Sequence, residues 1–177
     1  MLFMEFNRLI EARKSVRRYA GAATHGEIVE ILKAAQRAPS WKNTQASRCY
    51  VAETPEAVAA LRGALPSFNQ NSSAGAALIV TTFVRDQVGF SAGKPDNEVG
   101  NGWGAYDLGL HDAYLILAAS DMGLDTLIMG IRDADAIRAA LDIPEDEQIM
   151  SVIAVGRRSG DVPAKPRKAL EEVIRFS

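Results

Sequence analysis

"AALIVTTFV", residues 76–84, is apolar and rich in β-branched residues, with no charge and no breaker. A run of this kind reads as an interior strand, covered on both faces. Such a strand needs partners beside it and layers above and below, so its neighbours decide the fold. "QIMSVIAVG" (148–156) is a second clear strand, and "RCYVAE" (48–53) and "DTLIM" (125–129) are shorter candidates. Helical periods separate them. Phe3, Phe6, Leu9 and Ile10 predict a helix over 3–13. Thr24 opens another, with Glu27 completing a capping box, a stripe of Ile28, Ile31, Leu32 and Ala35, and a stop at Pro39. Thr54 and Pro55 start a helix running to about Leu65, and Asp133 caps one ending near Leu141. Residues 105–122 are apolar nearly all round, which predicts a helix central in the fold or covered by a partner, with Gly123 as its cap. The loop over 85–103, rich in Gly, Asp and Asn, is long enough to be functional or disordered. With no repeat and no linker, the expectation is one α+β domain over 1–177.

The chain has 177 residues and a formal net charge of −2, a balance that argues against general nucleic-acid binding. Its 1 cysteine, Cys49, excludes an internal disulfide and suits a reducing cytosol; it is expected to be an inert buried thiol. His25 and His111 are the only histidines, and no spacing suggests a metal site. "MLFMEFNRLI" carries Glu5 and no cleavage pattern, and no apolar run approaches the ~20 residues of a membrane span. A cytoplasmic location and no membrane partner are the expectations.

Against this weakly acidic background, "EARKSVRRYA" (11–20) concentrates Arg13, Lys14, Arg17 and Arg18 around Ser15. Taken locally, the cluster reads as a solvated helix end favoured by the helix dipole. "KPRK" (165–168) is a second basic cluster at the far end of the chain. If the two meet in space they form an anion site whose arginine forks suit a terminal phosphate. It would be a clamp of side chains, because "GNGWG" has neither the Walker lysine nor a dinucleotide frame. "APSWKNTQA" (38–46) crowds Ser40, Asn43, Thr44 and Gln45 between a helix and a strand. It reads either as a polar turn or as a surface for the polar edge of a heterocycle or for sugar hydroxyls.

"ARKSVRRY", "AAQRAPSWKNTQ", "FNQNSSAGAALIV", "MGLDTLIMG" and "VIAVG…PAKPRKALEEV" follow one another in the order and spacing of the nitroreductase family of flavin enzymes. The chain resembles that family from about Asn7 to Val173. The resemblance implies an α+β sandwich, with a central, mainly antiparallel sheet flanked by helices, in an intertwined homodimer. It also implies an FMN in each of two interface pockets. NADH or NADPH would supply hydride in a ping-pong reaction with a small acceptor such as a nitroaromatic or a quinone. Carried over by position, it points to Arg13, Lys14, Ser15 and Arg17 for the flavin phosphate, ribityl chain and pyrimidine, with Lys165 and Arg167 completing the phosphate site. Pro39, Ser40 and Asn43, with Trp41 nearby, would come from the other subunit. Asn69, and the backbone of Ile128, Met129 and Gly130, would meet the ring. No side chain is assigned a catalytic role, since the flavin carries the chemistry.

The chain departs from the family at Ala46 and Ser47, where many members have Pro-Trp, and at Ser72, where a lysine is common. It departs again at Leu127 and Met129, where Pro and Glu are common. These changes bear on redox potential and substrate preference more than on cofactor binding. Asp107 and Asp112 are expected on a helix surface or in interface pairing, and Phe90, Trp103 and Tyr106 border the glycine-rich loop, as substrate-face lining or as ordinary packing. Two other readings stand beside the enzyme: a flavin-binding sensor or carrier with little turnover, and a small nucleic-acid-binding domain using "RKSVRR". The lack of interleaved aromatics counts against the second.

Overall fold

The computed structural model describes residues 5–177. The run at 76–84 forms β3 (Ala77–Val84), a strand interior to the sheet. It lies antiparallel between β2 (Ser47–Ala52) and the 12-residue β7 (Glu147–Arg158). β7 is long enough to take two further antiparallel partners, β6 (Asp125–Met129) and β1 (Tyr19–Ala22). Every named strand pair in this five-stranded sheet is antiparallel.

Alternation along the strands divides the core. Leu78, Val80, Val152 and Ala154 point to one face, where Leu61 of α3 (Pro55–Gly63) and Ile137 of α6 (Ala134–Leu141) cover them. Ile79, Ile153 and Val155 point to the other, against Ile28 and Ile31 of α2 (His25–Ala35) and Leu115 and Ala119 of α5 (Gly102–Asp121). Both faces of the sheet are therefore dry, which is why 76–84 carries no polar alternation.

The capping signals fix the helix starts as expected. Thr24 Oγ1 accepts from the Glu27 amide, and Glu27 returns to the Thr24 amide at 2.9 Å. Thr54 and Asp133 cap α3 and α6 by accepting from the Ala57 and Ala136 amides, without the reciprocal bond. Gly123, at φ 75°, closes α5, with its own N–H on Ser120 O and the Leu124 N–H on Ala119 O. α2 stops at Ala35, before Pro39 is reached, through 3₁₀-type bonds from Arg37 and Ala38. α1 spans Phe6–Ala12, shorter than the expected 3–13, and Phe3 lies outside the described residues.

Two elements have no sequence signature. β1 is "YAGA" and exists because β7 offers it an edge, and α4 (Ser67–Ser72) is the polar "SFNQNS". The loop over 85–103 contains a small hairpin, β4 (Phe90–Ser91) with β5 (Lys94–Pro95). The last element, α7 (Leu170–Val173), is one turn in an exposed tail. α5 is not buried all round. Leu108, Leu115 and Ala119 face the core, whereas Tyr106 and Tyr114 lie on an exposed side.

Candidate functional site

α1 ends at Ala12, and its C-cap residue Arg13 turns extended at φ −62°, ψ 122°. The helix therefore does not continue through Arg17, and Arg13 and Arg17 do not converge along a helix face. The segment is instead stitched to the sheet. Ser15 forms a parallel bridge with Thr126, and the Val16 amide donates to Thr126 O at 3.0 Å. Val16 is fully buried and anchors the stretch, while Ser15, Arg17 and Arg18 stay exposed.

The chain returns to this place from the other end. The Ser159 amide donates to Arg18 O at 2.9 Å, and Lys14 Nζ donates to Val162 O at 2.7 Å across 148 residues. The result is a cleft of about 1180 Å³ lined by Arg13, Lys14, Ser15, Arg17, Lys165 and Arg167, among others. Glu11 and Asp161 also line it, yet neither pairs with Arg13, Arg17, Lys165 or Arg167, and these four cations form no ion pair among the described residues. A neighbouring bidentate pair, Arg158 to Asp125 at 2.8 and 2.6 Å, ties β7 to β6 beneath them.

β6 supplies the next feature. Because Thr126 O points outward to Val16, ladder alternation aims the amides of Ile128 and Gly130 along the same open edge. Ile128 and Gly130 are exposed, whereas the Met129 side chain is buried in the core and only its backbone is available. Asn69 lies beside the end of this strand, its Nδ2 donating to Ile131 O at 3.0 Å.

The Pro39–Gln45 turn lies elsewhere in the chain. Pro39 and Ser40 line a separate cavity of about 360 Å³ with Asp107 and His111. Lys42, Asn43 and Gln45 have φ of 47°, 56° and 50°. Left-handed backbone costs an L-residue roughly 1–2 kcal/mol, less for asparagine, so the turn is held by its surroundings. The Trp41 amide donates to Asp107 Oδ2 at 2.8 Å, the Gln45 amide donates to Ser40 Oγ at 3.0 Å, and Lys42 approaches Asp96 at 3.5 Å. Trp41 packs on Trp103 with ring centroids 4.7 Å apart, and Trp103 donates Nε1 to Asn97 at 2.9 Å.

Asp107 and Asp112 are therefore not on the helix surface, one of the two places expected for them. Both are buried. Burial raises the Asp107 carboxyl above the usual range, and the Trp41 amide offsets part of that rise. Asp112 accepts from Thr81 Oγ1 at 3.1 Å inside the sheet–helix layer. The polar turn after Pro39 was visible in the sequence, but its anchor, 66 residues away, was not. Cys49 is half-buried, and burial pushes its thiol up to about 12.

Among the described residues no group of His, Cys, Asp and Glu could hold a metal ion, and no helix is long and apolar enough to cross a membrane. The architecture is shared with solved structures. A nitroreductase family protein from Streptococcus pneumoniae TIGR4 is similar with a TM-score of 0.83 at 20% identity, covering 98% of this chain and 100% of that one. A protein from Exiguobacterium sibiricum 255-15, solved in complex with FMN, has a TM-score of 0.79 at 22% identity over 100% and 99% of the two chains. An oxidoreductase containing FMN gives 0.82 at 23% over 100% and 96%. At these identities the likeness shows the fold. The sequence pattern of the Nitroreductase family itself matches residues 10–157, and the chain belongs to that family.

Proposed function

We propose that the protein is an FMN-dependent oxidoreductase that passes hydride from NADH or NADPH to small acceptors such as nitroaromatics or quinones. The observation that carries this reading is the convergence of two basic clusters on one cleft, beside the open edge of β6. Arg13, Arg17, Lys165 and Arg167, which form no ion pair among the described residues, fit a phosphate dianion that would neutralise them. Lys14, already donating to Val162 O, fixes the tail segment that brings Lys165 and Arg167 to the cleft. The outward amides of Ile128 and Gly130 fit the polar edge of an isoalloxazine ring, and Asn69 braces the loop that follows them.

When bound, FMN supplies the hydride-accepting chemistry. The chain's part is to hold the ring, exclude water from one face and leave the other open. Reductant and acceptor then use that face in turn, a ping-pong order. Pro39, Ser40, Trp41 and Asn43 line no part of the basic cleft within one chain, so we place them, contributed by a second copy, across a homodimer interface. The cytoplasm, which holds both the nicotinamide reductants and a reducing poise for Cys49, is the proposed compartment.

The visible spectrum of the purified protein tests this. Flavin absorbance near one FMN per chain is expected, followed by NAD(P)H oxidation when a quinone is added. A colourless protein that takes up no added FMN overturns the reading. Bound flavin without turnover would leave a sensor or carrier.

A further inference from the structure

We infer that Asp107 is a positioning residue, holding the Pro39–Gln45 turn in the conformation that presents Ser40 and Asn43. The inference rests on the flavin reading above for its functional consequence, but the hold itself is visible without it. The turn places Lys42, Asn43 and Gln45 at positive φ, a conformation that Lys42 and Gln45 do not favour on their own. Within the turn, the Ser40 hydroxyl accepts from the Gln45 amide, which closes the loop on itself but does not fix it to the body of the protein. The Lys42–Asp96 pair is 3.5 Å long and exposed on the lysine side, so solvent weakens it. The Trp41–Trp103 contact is apolar. Arg48 Nη1 of β2 donates to Gln45 O at 2.8 Å and so ties down the exit of the turn, not its start. Asp107 is different. It is buried on α5, a helix clamped against the sheet, and its Oδ2 accepts the Trp41 amide at 2.8 Å. That bond joins the residue just before the positive-φ stretch to a helix packed on the sheet. Among the described residues the amide has no other acceptor, because the segment around it forms no ladder.

Three proteins test this: wild type, Asp107→Asn and Asp107→Leu. Asparagine keeps an acceptor oxygen at the same place, whereas leucine keeps the volume and loses the acceptor. Two measurements are made on each. Amide hydrogen exchange at Trp41, without added flavin, reads the bond directly. Titration with FMN and with riboflavin reads the consequence. In Asp107→Leu, Trp41 exchange is expected to accelerate, and both flavins to bind about 10-fold more weakly, on the scale of one backbone donor left without its acceptor. Equal loss for the two ligands is expected because the turn is not at the phosphate. Asp107→Asn should stay near wild type in both measurements. Should the leucine variant fail to fold, Asp107→Ala replaces it and carries the same expectations. Unchanged Trp41 exchange in the acceptor-less variant overturns the inference. So does an Asp107→Asn protein as impaired as the leucine one, since a shared acceptor would then not suffice. Altered exchange with unaltered flavin affinity removes the functional consequence. If wild type binds no flavin at all, the proposed function fails, while the exchange measurement still decides the role of Asp107.

Discussion

Arg167 and Asp107 show what single residues contribute, and each is open to a direct measurement. Arg167 is exposed and has no carboxylate partner among the described residues, so removing it should cost the fold little. If it binds the phosphate, Arg167→Ala should weaken FMN binding by roughly 10- to 150-fold, the worth of one charged hydrogen bond. Riboflavin, which has no phosphate, should bind the variant about as well as it binds wild type. Equal loss for both ligands would place Arg167 at the ring or in the fold instead. For Asp107 the informative variable is pH. Burial raises its carboxyl, so the folded chain holds the proton more tightly than the unfolded chain does. Its contribution to stability is present below the ordinary carboxylate value and is lost as pH rises through the raised one. Asp107→Asn has no such titration. Its urea midpoint relative to wild type should therefore improve as pH rises from about 4 towards neutrality. A difference independent of pH would show that Asp107 ionises normally.

Elements depend on how closely they approach one another. β1 crosses β7 at Gly156, where an added Cβ would overlap the Gly21 carbonyl oxygen and meet Tyr19 Cδ1 at 3.1 Å. Backbone cannot step aside as a flexible side chain can. Gly156→Ala should therefore destabilise the protein by about 1–3 kcal/mol, as overpacking does. It should also loosen the Ser159–Arg18 bond that brings the tail to the basic cleft. Urea unfolding, together with exchange at Ser159, would check both effects. A stability unchanged within error would mean that β1 is free to move. The same reasoning explains why β1 escaped the sequence reading. "YAGA" has no apolar alternation, and its strand character comes from the Gly156 edge rather than from its own side chains. α5 was legible as a long helix, but its outer face was not. Only the placement of α2 and the sheet shows which of its apolar residues lack cover.

At the scale of the whole molecule, the outward side of α5 exposes Tyr106 at 60% and Tyr114 at 43%. The tail exposes Leu170, Val173 and Phe176 as well. The candidate site is also divided, with the basic cleft and the Ser40 turn on separate cavities. A homodimer that covers these faces and joins the halves is expected, with an interface of order 2,000 Å² or more. Light scattering coupled to size exclusion should find twice the 19.1 kDa chain mass at micromolar concentration. A stable monomer that retains FMN would contradict the divided site.

Local sequence was enough to specify the two dry strands at 76–84 and 148–156, the capped starts of α2, α3 and α6, and the family motifs. It did so because strand burial, N-cap chemistry and short motifs are written in neighbouring residues. Tertiary structure alone decided that Arg13 is not helical, that Lys14 reaches Val162 across 148 residues, and that the Asp107 carboxylate serves the Trp41 amide. Each of these depends on a partner far along the chain. No local pattern records a hydrogen bond whose acceptor is chosen only when β7 and α5 pack into place.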